Sequence, residues 1–126
     1  MTTNKTLIAH NNTVLSLLYL SDNIFASSSG DSTIKFWNTT TGVVTKTFTG
    51  HSGSVWSLAI LSDSTLVSGG GDNLIKLWNV TTGLVLKSLK GHTLWVKSLL
   101  VLLDDTLIIV LLLIQQSKYG MQKKVK

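Results

Sequence analysis

From Val14 to Lys90 the apolar residues fall in short runs of five to seven, rich in β-branched side chains, and every run is broken by Gly, Asp, Asn or Ser. The stretch from Val55 to His92 shows the order most plainly: VWSLAIL, SDS, TLVSG, GGDN, LIKLWN, VTTG, LVLKSLK, GH. Runs of this length and composition between turn formers predict β-strands, and Thr-Thr-Gly predicts a tight hairpin connection. The expected strands are 14–20, 24–28, 33–38 and 43–49, then 55–61, 65–69, 74–79 and 84–90, which gives two four-stranded meanders.

The two meanders are copies. A shift of 41 residues superposes His10, His51 and His92, and likewise Val14, Val55 and Val96, Ser16, Ser57 and Ser98, and Asp22, Asp63 and Asp104. The same shift pairs Ser27 with Ser68, Asp31 with Asp72, Ile34 with Ile75, Lys35 with Lys76, Trp37 with Trp78 and Gly42 with Gly83. The segment NKTLIAH aligns with VVTKTFTGH and LVLKSLKGH, so the chain opens on the last strand of a unit and runs out of phase with it. The expected division is 1–9 as an outer strand of a preceding or closing blade, 10–50 and 51–91 as two complete units, 92–108 as the start of a third, and 109–126 as a tail of different origin.

These residues resemble the WD-repeat β-propeller family through Gly50-His51, Gly91-His92, Asp31, Asp72, Trp37-Asn38 and Trp78-Asn79. The resemblance covers residues 5–108; Ala9-His10 stands in place of Gly-His, and both complete units have Trp-Asn where the family has Trp-Asp. It implies an all-β fold, a partial and open β-propeller of about two and a half four-stranded antiparallel blades. It also implies a structural hydrogen-bond chain in each blade, from Trp to Ser to His to Asp: Trp37, Ser27, His10 and Asp31, and Trp78, Ser68, His51 and Asp72. Thr13, Leu15, Ser54, Trp56, Trp95 and Lys97 fall at the family's partner-facing positions, with packing between blades as the alternative for Trp56 and Trp95.

His, Ser and Asp are also the residue types of a hydrolase triad. A triad needs one nucleophile in one cleft, whereas this set recurs in each copy, which argues architecture rather than a catalytic site. Three histidines 41 residues apart, with no carboxylate or thiolate clustered beside them, do not make a zinc site. No metal, cofactor or catalytic residue is therefore expected.

Composition removes further classes. The chain of 126 residues has no Cys, hence no disulfide framework and no thiolate chemistry. It has eleven Lys and no Arg against six Asp and no Glu, but four of the lysines follow Ser117, so the body is nearly neutral. Lys118, Lys123, Lys124 and Lys126, without Arg or interleaved aromatics, give no specific nucleic-acid signal. Met1–Asn12 lacks the apolar stretch of a signal peptide, and the charge-free run Leu107–Ile114 is too short for a bilayer, so an intracellular, cytoplasmic or nuclear chain without a membrane role is expected. The Asn-x-Thr sequences at Asn4, Asn11, Asn38 and Asn79 read as turn and strand-edge chemistry.

The third unit follows the second through LLDDTLI and then loses its Ser, Asp and Trp together in IVLLLIQQSKYG. Simultaneous loss suggests a shifted reading frame after residue 108. Joining the third base of each codon to the first two of the next permits Ser at Val110, Ser or Ala at Leu111 to Leu113, Asp at Ile114, Ser or Thr at Gln115, and Thr-Ile-Lys-Ile-Trp-Asn from Gln116, in phase with the repeat. The function expected is a noncatalytic protein–protein interaction scaffold, a fragment of a larger propeller, with unidentified protein partners and self-association through open blade faces. The alternatives are a nonfunctional truncated gene product and, behind it, a hydrolase.

Overall fold

A computed structural model describes residues 6–21, 23–91, 93–101, 107–111 and 121–125, with side-chain surroundings for 6–21, 23–91 and 93–99. Asp22, His92, Asp104 and Asp105 lie outside the described residues, as do Lys118, Lys126 and most of the segment on which the frame argument rests.

The described residues form strands and turns without a helix. The first sheet contains β1 (Val14–Ser21), β2 (Ile24–Ser29), β3 (Ile34–Asn38) and β4 (Val44–Phe48); the second contains β5 (Val55–Ile60), β6 (Thr65–Gly70), β7 (Ile75–Asn79) and β8 (Val85–Leu89). Each is an antiparallel meander in chain order, and every strand lies within a residue or two of its expected place. Turn chemistry repeats with the strands. Asn38 Oδ1 accepts from the N–H groups of Thr40 (2.8 Å) and Thr41 (3.1 Å), and Asn79 Oδ1 from those of Thr81 (2.9 Å) and Thr82 (3.0 Å). An Asn carbonyl therefore makes the turn bonds that an Asp carboxylate would make, and Gly42 and Gly83 close each turn at φ 72° and 76°.

The sheets pack face to face. Ala26, Ile34, Phe36 and Phe48 of the first meet Val55, Leu58, Leu66 and Trp78 of the second in one buried cluster, with Phe48 stacked on Trp78 at 5.2 Å. A second cluster, Ala59, Val67, Ile75 and Val96, joins the second sheet to the third. The strands β1, β5 and β9 (Val96–Val101) lie beside one another, so the leading strand of each sheet follows the last.

The third sheet has β9, β10 (Leu107–Leu111) and β11 (Met121–Val125) in the order β11-β10-β9. Its first two strands keep the repeat. Its third does not: Ile34 and Ile75 project to residue 116, whereas β11 begins at Met121. The tail thus carries strand where the repeat does not place one.

The leading strands do not alternate strictly, because each carries a β-bulge near its start. Val14 and Ser16 face the consecutive residues Ser29 and Ser28, Val55 and Ser57 face Gly70 and Gly69, and Val96 and Ser98 face Leu111 and Val110. Leu15, Trp56 and Lys97 are the extra residues. The bulge explains how Val55 and Leu58, three apart, both enter the same cluster, which a period of two forbids.

Candidate functional site

Each complete sheet brings its four repeated polar residues together. In the second, His51 precedes β5, Ser68 is on β6, Asp72 is in the β6–β7 turn and Trp78 is on β7. The Trp78 indole N–H donates to Ser68 Oγ (2.8 Å), His51 Nε2 lies 2.7 Å from the same oxygen, and His51 Nδ1 lies 2.9 Å from Asp72 Oδ2. The first sheet repeats this with Trp37 to Ser27 (2.8 Å), Ser27 to His10 (2.7 Å) and His10 to Asp31 (2.9 Å).

The chain of bonds is satisfied by one proton arrangement. Ser68 Oγ accepts from Trp78, so its own hydrogen goes to His51 Nε2, and Nδ1–H then donates to Asp72. That arrangement requires a neutral imidazole. Burial accordingly pushes His51 below its ordinary value of 6.5, against the opposing hydrogen bond and charge of Asp72, and Lys76 adds to the lowering. Burial would raise the Asp72 carboxyl, but the Ser52 N–H, the bond and charge of His51 and the Leu74 N–H outweigh it and hold the group below 3.8. Asp31 is depressed further: burial is again opposed, by the Thr33 hydroxyl, the Asn11 N–H, His10 and the Thr33 N–H.

The Ser–His–Asp spacing is that of an acyl-transfer triad, but a nucleophile must reach a substrate. Ser68 is fully buried and Ser27 is 2% exposed, and each oxygen already carries an indole N–H. No group of three or more His, Cys, Asp or Glu side chains fit to hold a metal ion occurs among the described residues. No helix among them is long and apolar enough to cross a membrane.

The six residues at the leading ends of β1, β5 and β9 differ from unit to unit: Thr13, Ser54 and Trp95 at one position, Leu15, Trp56 and Lys97 at the bulge. Three of them converge. Trp56 and Trp95 stack at 5.6 Å with planes 22° apart, and Lys97 Nζ lies 4.0 Å from the centre of the Trp56 ring. Trp95 is 44% exposed, while Trp56 is half-buried and its indole N–H has no acceptor among the described residues. Ser54 accepts from the Gly71 N–H through its carbonyl (2.7 Å). Thr13 is exposed and Leu15 half-buried on the first sheet, apart from the aromatic pair. Sequence reasoning named these residues but missed the bulge that brings Lys97 over Trp56; a bulge leaves no mark in composition.

A second feature escaped the sequence. Leu7, Ile8, Val14, Leu17, Phe25 and Trp37 line an open groove of about 400 Å³ on the free face of the first sheet, beside Ser27. Leu7 lies against Gly42 as Phe48 lies against Gly83, so residue 7 keeps its repeat position.

The WD domain, G-beta repeat family model matches residues 1–38 and 42–79, more than half of the chain, and the chain belongs to this family. The second matched repeat starts just before β4, one strand ahead of the second sheet. Among solved structures the chain is similar to the crystal structure of the WD40 beta propeller domain of Doa1, at 27% identity and a TM-score of 0.76, over 79% of this chain and 34% of that one. The chain therefore spans about a third of that relative's length. No curated protein matches it. The fold is that of a partial WD40 propeller, and such propellers are of the protein-interaction scaffold type.

Proposed function

We propose that this chain is a noncatalytic scaffold that binds another protein through the leading ends of its blades, with Trp56, Trp95 and Lys97 as the principal contacts and Thr13, Leu15 and Ser54 around them. The observation that carries the reading is the contrast between repeated and unrepeated residues. The Trp–Ser–His–Asp set recurs in both complete sheets because each must be built alike. The bulge position, set by the same backbone in all three sheets, holds Leu, Trp and Lys. Bulges re-aim side chains, and exposed Trp is a frequent anchor of interfaces.

A photo-crosslinking amino acid in place of exposed Thr93, two residues before Trp95, compared with one at exposed Leu86 on the outer strand β8, tests the reading. Protein adducts at 93 that Trp56→Ala abolishes, with none at 86, are expected. Equal yields at both positions would contradict it.

The second reading, a product of a reading frame shifted after residue 108, is favoured by β11, which starts at Met121 rather than at the repeat position. On that reading the residues before 109, Trp95 and Lys97 included, keep the scaffold surface and the tail contributes nothing evolved to it.

A further inference from the structure

We propose that the Trp56–Trp95–Lys97 cluster selects an acidic peptide segment, in which a carboxylate side chain flanked by large apolar residues meets Lys97 while an apolar neighbour lies on Trp95. The inference rests on the scaffold reading and names the chemistry of its partner.

The charge at the cluster decides the sign. Lys97 Nζ sits over the Trp56 ring at 4.0 Å, so that face already has its cation. A second cation brought to the same rings would meet an ammonium in place of a vacant aromatic face. No carboxylate among the described residues is within ion-pair distance of Lys97, and the two ion pairs found there are His10–Asp31 and His51–Asp72. Asp72 is also engaged by the backbone N–H groups of Ser52 and Leu74. Among the described residues Lys97 is thus a positive charge without an anion.

The kind of anion follows from the cation. Phosphate groups are held by paired or forked donors, Arg above all, and the chain has no Arg. One ammonium, a point charge, matches one carboxylate. The rest of the cluster is aromatic surface, since Trp95 exposes 44% of itself beside the stacked Trp56 ring. Such a surface gains by covering an apolar side chain and gains nothing from a string of acidic residues. The Lys97 head, already held over the Trp56 ring, loses little further freedom when it is engaged.

Three peptides test the proposal on the full chain: acetyl-Gly-Phe-Asp-Phe-Gly-amide and the versions with Asn or Lys at its centre, followed by isothermal titration calorimetry. The Asp peptide is expected to bind at least tenfold more tightly than the other two and to weaken as salt is raised. Lys97→Met should abolish that preference while leaving residual binding, and Trp95→Ala should weaken all three peptides. Equal binding of the Asp and Lys peptides, a preference that survives Lys97→Met, or no binding by any peptide would overturn the proposal. Crosslinking at position 93 separates this failure from failure of the scaffold reading: adducts without a charge preference leave the scaffold reading standing, and no adducts remove both.

Discussion

Leu17 and Leu58 occupy the same position in successive repeats, and Leu17 is 67% exposed where Leu58 is 8% exposed. Their neighbours follow suit, with Val14 at 48% and Val55 at 0%. The difference is one packed sheet: the first sheet covers Leu58, and nothing among the described residues covers Leu17. The repeat therefore supplies its own control for what burial between blades is worth.

Leu58→Ala should cost about 2–4 kcal/mol of unfolding free energy, the usual range for emptying a buried leucine site. Leu17→Ala in a monomer should stay within about 0.5 kcal/mol. We propose that the uncovered face drives self-association, so size-exclusion chromatography with light scattering should give masses above 13.7 kDa that Leu17→Asp lowers. A sharp monomer peak for the unmodified chain would contradict this.

Acid should unfold the chain in two stages. The His51 pKa is lower folded than unfolded, so its contribution is complete above pH 6.5 and is lost as pH falls from there toward the depressed folded value. Asp72 and Asp31 are also depressed, so their contributions are present above 3.8 and are lost as pH falls further. Urea midpoints measured from pH 7.5 to 3 should fall below pH 6.5 and again below 3.8, and His51→Gln should remove the first fall. A midpoint that rises on going from pH 7 to 5 would reverse the sign.

If the Ser–His–Asp sets only build blades, an alkyl fluorophosphonate should label neither Ser27 nor Ser68 at concentrations that label serine hydrolases fully. Mass spectrometry of the digested protein reads this directly. Ser27, beside the open groove, is the position where an adduct would restore the hydrolase reading.

Much of this was legible in the sequence, for a physical reason. Strands such as LIKLWN and turns such as Thr-Thr-Gly are local, the 41-residue shift marks the repeat, and the bond between His51 and Asp72 is what the family resemblance implies. The bulges at Leu15, Trp56 and Lys97 were not legible, because inserting one residue changes the facing of its neighbours without changing their types. That a blade face stays open was expected, but that Val14 and Leu17, three apart, are both exposed there was not, because the bulge sets their facing. The strand at Met121–Val125 follows no repeat, and the pattern had nothing from which to predict it.

We propose that the reading frame shifts after residue 108. Sequencing the transcript should reveal Thr-Ile-Lys-Ile-Trp-Asn in the frame one base earlier, followed by further 41-residue units. A transcript whose shifted frame lacks this run would remove the explanation.

The central claim divides repeated residues that build blades from unrepeated ones that face a partner, and one pair of identical substitutions tests it. Trp78→Phe and Trp95→Phe each keep an aromatic ring and delete an indole N–H. Trp78 is 1% exposed and bonded to Ser68 at 2.8 Å, whereas Trp95 is 44% exposed. Urea unfolding should show Trp78→Phe losing about 2–4 kcal/mol and Trp95→Phe within about 0.5 kcal/mol of the unmodified chain. Equal losses, or a Trp78→Phe midpoint unchanged from the unmodified chain, would contradict the account.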